Sequence, residues 1–555
     1  MSPAAPDGRT AQIAGVEVLV DGQPLAPTLT RLLQEVRVED DLTLPDAFAV
    51  RISDPGLANI DAHPLQVGAE VEIRLGAPDA NRLTPLMRGQ ITSLEPEFRA
   101  DGIAIVARGY DHSHALDRTR RTATYQDTTV AEVVRKVCQR AGLRAATVED
   151  AGGAQPFVQQ TNETDWRFLW RLARRVGCEV EVADGALHFR RAGGGEPAGE
   201  PLALRYGDAL RAFRPRLTGV QGVEEVVVRG WDYTAKRAIE ATAGPQPPRS
   251  SIGVPRDEVA RRLGGGSMAV ADAPVNDQEE ADALAKGVMA RMVEGYLEAE
   301  GVCRGAPSLR AGSSVRVEGV GTRFSGTYRV TSTTHLFRGA SGYETRFRVS
   351  GEAPRSLVGL MTPSARAGWE PDGVQVAVVT QNEDPAGLGR VRIRHPELGE
   401  DTEGWWARVA GPGAGRDRGL LMTPRVGDEV LVAYEHGDVR RPVVLGALWN
   451  GEDAPGELVQ ADGSFRLRSA ESVGIAADRT MRITAEDELE VEVGGASVVM
   501  KKDGAISATG KEVTVKGGGS VTVEASGSLT LKAGAGITIQ AGGTVRVTGA
   551  QVQLG

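Results

Sequence analysis

Residues 513–552 read VTVKGGGS VTVEASGS LTLKAGAG ITIQAGGT VRVTGAQV, successive units of eight in one phase. Each unit opens on two apolar residues two positions apart: Val513/Val515, Val521/Val523, Leu529/Leu531, Ile537/Ile539 and Val545/Val547. Residues i and i+2 of a strand share a face, so each unit predicts a short in-out-in strand followed by a turn. The phase extends upstream through Leu489/Val491, Met481/Ile483, Val473/Ile475 and Phe465/Leu467. Two degenerate units between them, Ser497/Val499 and Ala505/Ser507, keep the count. Turn formers such as Gly463, Gly495, Asp503, Gly519, Gly527 and Gly543 stand two positions ahead of pairs. A repeat this regular predicts a β-solenoid.

Eight residues of strand reach about 26 Å, and a loop of that perimeter is about 8 Å across, less than the ~10 Å that facing sheets need. One octad therefore cannot close a coil. Either three successive octads of one chain form it or three chains each supply one side, and three chains would also hide the strand edges. The needle core is expected to be Val513, Val515, Val521, Val523, Leu529, Leu531, Ile537, Ile539, Val545 and Val547. Over residues 517–555 the only charges are Glu524, Lys532 and Arg546, which suits a rod that pierces a bilayer and equally a tightly packed solenoid.

At 555 residues the chain exceeds one hydrophobic core, and 70 glycines with 5% aromatics point to many turns. The first 125 residues alternate β-type runs at 15–20, 48–52, 69–75 and 103–107. Thr129 and Glu132 stand in capping-box spacing before a helix that puts Val130, Val133, Val134, Val137 and Cys138 on one face and stops at Gly142. A second helix starts near Thr164 or Asp165, carries Trp166, Leu169, Leu172 and Val176, and ends at Gly177. A third is expected over 277–300, on the spacing of Ala281, Leu284, Val288, Met292 and Tyr296. Residues 192–201 and 244–266 read as exposed loops, and 351–373 as a boundary rich in Pro and Gly. Runs at 374–379, 389–393, 405–409, 429–434 and 443–446 predict a five-stranded OB-like barrel.

Several stretches carry a family resemblance. RGYD at 108–111, QTNETDWRFL at 160–169, RGWD at 229–232, GTYRV at 326–330 and GYETRF at 342–347 resemble the hub module of the VgrG and phage-spike family. GRVRIRHP at 389–396, the Trp405-Trp406 pair, TPRVGDEVLVAYEHGD at 423–438 and the stretch ending at Asn450 resemble its OB barrel. The resemblance implies a mainly β chain with a few helices: a tail-hub module with two tube-like β-barrels and inserted helices over 1–372, an OB-fold barrel over 373–450, a linker over 451–462 and a C-terminal triple-stranded β-helix needle over 463–555. It further implies a homotrimer that caps an inner tube protein and meets baseplate and hub-associated proteins. A PAAR-like tip protein is expected at Gln551, Val552, Gln553, Leu554 and Gly555, since the chain stops directly after the last octads with no cap or toxin appended. An effector cargo would then bind elsewhere or be absent, and contact with a target membrane would be transient. The compact length resembles phage-derived particles, extracellular or cytosolic, more than membrane-anchored type VI systems.

Residues that could carry chemistry are few. Glycan cleavage needs two carboxylates across a cleft, and Glu452, Asp453 and Glu457 in the linker read as solvated loop charges. His112 and His114 flank Ser113 after an expected strand without a third ligand nearby, and His63, His188, His335, His395 and His436 stand alone. Gly264-Gly265-Gly266-Ser267 lacks the Lys of a phosphate loop. Cys138, Cys178 and Cys303 sit in apolar patterns and read as buried thiols. The expectation is therefore a structural protein without catalytic, metal or cofactor residues, the alternatives being a spike that degrades the envelope and a β-solenoid adhesin. A net charge of -10 disfavours nucleic acid. Residues 1–10 hold no apolar run, so assembly in a bacterial cytoplasm without signal peptide is expected, with later release or delivery in a phage-tail-like particle.

Overall fold

A computed structural model of the chain describes residues 15–57, 64–77, 82–100, 102–183, 185–192, 200–219, 222–339, 341–349, 373–399, 402–459 and 463–553. It divides into two compact units, residues 1–454 and 455–555. The architecture is mainly β, with a closed five-stranded barrel.

In the first unit one sheet of eleven strands serves two cores. Leu33–Asp41 and Ala47–Ser53 alternate buried and outward residues, so Val36, Val38, Phe48, Val50 and Ile52 cover one core together with Ile73 and Leu75. Ser332–Arg338 pairs antiparallel with Leu33–Asp41 and carries the sheet onward to Gly342–Val349 and Leu297–Arg304. There Leu297, Cys303, Val315, Tyr328 and Phe347 form a second core.

The helices sit against smaller sheets. Val130–Ala141 opens with its capping box formed: Glu132 N donates to Thr129 Oγ1 at 3.2 Å and Thr129 N to Glu132 Oε2 at 3.2 Å. It closes on Gly142 in the left-handed region. Asp165–Arg175 is capped by Thr164. Gly177, at φ +68°, lies where a Cβ would come 2.5 Å from the Ala283 carbonyl oxygen of the third helix, so its missing side chain permits that approach.

That third helix spans Gln278–Glu294 and not 277–300. Gly295 ends it, and Leu297–Arg304 becomes a strand because Leu297, Ala299, Gly301 and Cys303 alternate inward while both its edges pair. Tyr296 accordingly packs in the second β core, donating its hydroxyl to Ser250 O at 3.1 Å. The polar stretch 244–266 is not all loop: Arg256–Arg262 is helical, with Arg256 and Ala260 buried. The boundary at 351–373 falls almost wholly outside the described residues.

Val374–Gln381, Val391–Arg394, Trp406–Val409, Pro442–Ala447 and Glu429–Tyr434 close the barrel in that spatial order. Trp406–Val409 meets Pro442–Ala447 in parallel and every other pair is antiparallel. This is the OB arrangement, filled by small and β-branched residues including Ala377, Val379, Ile393, Val430 and Val444.

Candidate functional site: the barrel junction and the unpaired tail

Two features of the chain stand out, one in each unit. The first is where the barrel meets the helical part of the body. Arg440 and Arg441 precede the strand Pro442–Ala447 and both are buried. Arg440 places Nη2 2.7 Å from Asp438 Oδ2 and Nη1 3.0 Å from Glu280 Oε1, and Glu280 also lies 3.4 Å from Arg175 Nε. Arg441 donates to Val275 O at 2.7 Å, Trp231 O at 3.1 Å and Asn276 Oδ1 at 3.0 Å, and pairs with Glu435 at 3.0 Å.

Burial pulls the Arg440 guanidinium down, and the carboxylates of Asp438 and Glu280 more than reverse it. Asp438 shows the mirror case: burial pushes it up and Arg440 holds it below the ordinary carboxylate range. Arg175, buried and beside the Arg440 charge, is drawn down to about 9. Around this ionic centre Phe157 stacks on Trp405 at 5.0 Å, Gln126 donates to Glu403 at 2.9 Å, and Arg408 lies over Tyr233 while pairing with Glu435. The barrel is thereby fastened to the body by paired charges and rings. None of these residues stood out in the sequence as a group; the visible signal was two adjacent arginines at the head of an otherwise apolar barrel strand.

The second feature is the tail. Bends fall at 470–471, 478–479 and 486–487, and again at 518–519, 526–527, 534–535 and 542–543, each eight residues after the last within its run. Between the bends the backbone carries no strand pairing within the chain. All ten expected needle-core residues are exposed, from Val545 at 51% to Val515 at 75%. The chain alone therefore brings none of them together in a core. Of the tip residues, Gln551, Val552 and Gln553 are exposed, while Leu554 and Gly555 lie outside the described residues.

The tail differs from the sequence expectation at its two degenerate octads. Glu488–Val493, Ala496–Lys501 and Ile506–Thr509 form an antiparallel three-stranded sheet, so the Ser497/Val499 and Ala505/Ser507 units double back instead of continuing the rungs. Gly494-Gly495 and Asp503-Gly504 supply the two tight turns, with Ala505 N donating to Asp503 Oδ1 at 3.0 Å.

The residues weighed for chemistry are dispersed. His112 and His114 stand in a short 3-10 turn and not on a strand; His112 pairs with Glu70 at 3.2 Å and His114 Nδ1 bonds Asp111 O at 2.7 Å. Among the described residues no group of three or more His, Cys, Asp or Glu side chains could hold a metal ion. The three thiols are free and buried, and burial pushes Cys138 up to about 11 and Cys178 and Cys303 to about 12. Glu452 and Asp453 are exposed, their backbone N–H groups bonded to Asn450 Oδ1. No helix among the described residues is long and apolar enough to cross a membrane.

Residues 375–449 match the model of the type VI secretion system and phage-baseplate injector OB domain. Residues 11–338 match that of the Alg8 N-terminal domain. The probable baseplate hub protein of Escherichia phage P2 is 37% identical over 114 residues, 20% of this chain and 29% of that protein. The type VI secretion system spike protein VgrG1b of Pseudomonas aeruginosa is 31% identical over 156 residues, 26% of this chain and 20% of that protein. The chain thus spans less than a third of each of these two relatives. In fold it is similar to a chain of the half-lidded Francisella PdpA-VgrG complex, with TM-score 0.50 and 7% identity, over 90% of this chain and 88% of that one. Matching the Alg8 N-terminal domain over more than half its length, the chain belongs to that family, and its injector OB domain and the sequence it shares with hub and spike proteins make it a homologue of VgrG and phage baseplate hub proteins.

Proposed function

We propose that the protein is the structural spike of a contractile injection machine, acting as a homotrimer and not as a catalyst. In this reading residues 1–372 form the hub that caps an inner tube protein and seats against baseplate and hub-associated proteins. The OB barrel of residues 373–450 joins that hub, through the linker 451–462, to a needle built by residues 463–555. Three tails wind together so that the apolar pairs from Val513 to Val547 face a shared interior. The needle end, Gln551 to Gly555, takes a PAAR-like tip protein, and an effector cargo rides on the assembly. Assembly takes place in the bacterial cytoplasm, and contact with the target membrane lasts only for the stroke.

The observation that carries this reading is the tail. Outside residues 488–509 its backbone is extended, bends every eight residues and leaves its apolar pairs in water, which supports strands and a core supplied by other chains. Three is the number that gives one octad per side of a coil about 10 Å thick. The ionic fastening of the barrel to the body also suits a part that transmits force, since the work of contraction arrives from outside the chain.

Light scattering of the full-length chain against the monomer mass of 58.6 kDa tests the proposal. A trimer that weakens when residues 462–555 are removed is expected. A full-length monomer would sink it and favour the adhesin.

A further inference from the structure

The sheet of residues 488–509 has one apolar face. In an antiparallel sheet, residues directly opposite share a face and neighbours alternate. Leu489 pairs with Met500, Val491 with Val498, and Met500 in turn with Ile506. Together with Val493 these six point to one side, and all but the half-buried Leu489 are exposed, from Val498 at 40% to Val493 at 78%. The other side holds Glu488, Glu490, Glu492, Lys501 and Ser507, with Val499 as its large apolar residue. Lys501 pairs with Glu488 at 3.4 Å and Lys502 with Asp487 at 3.1 Å, while Lys502 N donates to Asp487 O at 2.9 Å. The meander is thus closed within one chain and yet has a bare core side.

Continuity identifies what covers that side. Leu489 and Val491 are both the first strand of this sheet and an octad pair in phase with Met481/Ile483 before it and Val513/Val515 after it. Whatever covers the octad pairs covers the sheet as well. The octads downstream are nearly interchangeable: VTV, VTV, LTL and ITI differ by one methylene per side chain, worth about 0.8 kcal/mol each. A tail slipped by one whole octad would bury almost the same core, so these rungs specify register weakly. The meander has no such repeat, and its pairings span few residues, so it can form before the long-range winding does.

We propose that residues 488–509 are the registration clamp of the assembly: the apolar face docks on the same face of two further copies of this chain and sets the three tails level before they wind. This inference rests on the trimeric needle proposed above. It gives the two degenerate octads a role, because a unit that doubles back contributes no rung and marks one height along the needle.

The test removes residues 497–512, two whole octads, which joins the Leu489 octad to the Val513 octad without changing phase. Particle mass is read by light scattering, and the protease-resistant tail by mass spectrometry. The full-length chain is expected to give a trimer with one resistant fragment. The deletion variant is expected to give trimers whose resistant fragments form a series spaced by eight residues, as slipped chains leave whole octads overhanging; loss of the trimer also supports the clamp. A single fragment shorter by the deleted residues, with refolding as fast as the full-length chain, would overturn the clamp and leave the needle intact. A monomeric full-length chain would instead overturn the needle itself. Val498→Glu with Met500→Glu keeps the chain length and should give the same slipped series or loss of the trimer; an unchanged single fragment counts against the clamp.

Discussion

Replacing Arg440 by Met tests whether the ionic centre at the barrel junction holds the barrel in place. The guanidinium now neutralises Asp438 at 2.7 Å and Glu280 at 3.0 Å, and the Glu280 side chain is only 4% exposed. Without it, Asp438 loses its principal counter-charge and Glu280 loses one of its paired guanidinium groups, keeping Arg175, whose charged form burial already disfavours. Breaking a buried network by removing one partner costs about 3–5 kcal/mol, whereas an exposed pair such as Arg229–Glu240 is worth at most about 1 kcal/mol. At about 4–8 °C per kcal/mol for a domain of roughly 60–100 residues such as this barrel, the barrel transition should fall by roughly 12–40 °C in scanning calorimetry and separate from that of the body. The triple variant Glu280→Gln, Asp438→Asn, Arg440→Met removes charge from both sides and should recover most of the loss. If Arg440→Met shifts the transition no more than Arg229→Met does, the ionic centre is not what fastens the barrel.

Other perturbations have definite signs. Burial and the nearby Arg310 charge hold the His335 imidazole down to about 4, against an unfolded value near 6.5. Its contribution is therefore present above pH 6.5 and lost as pH falls toward 4, by about 3 kcal/mol, and His335→Gln should flatten that slope in urea titrations at pH 7 and pH 4.5. Asp46 behaves oppositely: burial, then repulsion by Asp40 and Asp111, pushes its carboxyl up to about 9. Stability is fully present below about pH 4 and declines as pH rises toward 9, so Asp46→Asn should raise the melting temperature at pH 8 and leave it nearly unchanged at pH 4. Leu529→Asp with Leu531→Asp should abolish the trimer, because each aspartate would be buried without a partner, while the calorimetric transitions of residues 1–454 stay in place. An unchanged particle mass would refute the inward assignment of those leucines.

Much of the fold was legible because it rests on local chemistry. The Thr129/Glu132 box and Gly142 delimit a helix that forms between those residues, since caps act within one turn. The five barrel strands appear in order because each carries its own alternation. The third helix ran too long on paper since Tyr296 continues the helical spacing by coincidence. Only the pairing of Leu297–Arg304 with strands distant in sequence on both sides decides that those residues are extended. The junction was invisible for a related reason: Glu280, Asp438 and Arg440 are each ordinary charges until the fold buries them together.

The tail inverts the usual relation between pattern and contact. Its octads are the clearest signal in the sequence, and among the described residues outside 488–509 they satisfy nothing in one chain: the apolar pairs are exposed and the backbone between bends is unpaired. A pattern of that regularity with no internal partner is what the proposed needle calls for, in which strand pairing and core would both be supplied between chains. The two weakest octads, with the Leu489 octad before them, are the ones that find partners within the chain, because Gly494-Gly495 and Asp503-Gly504 permit tight reversals that the flanking units do not make. In reading such a repeat, a unit that departs from the motif without shifting its phase is thus a place to look for a local fold, and here that fold has one apolar face.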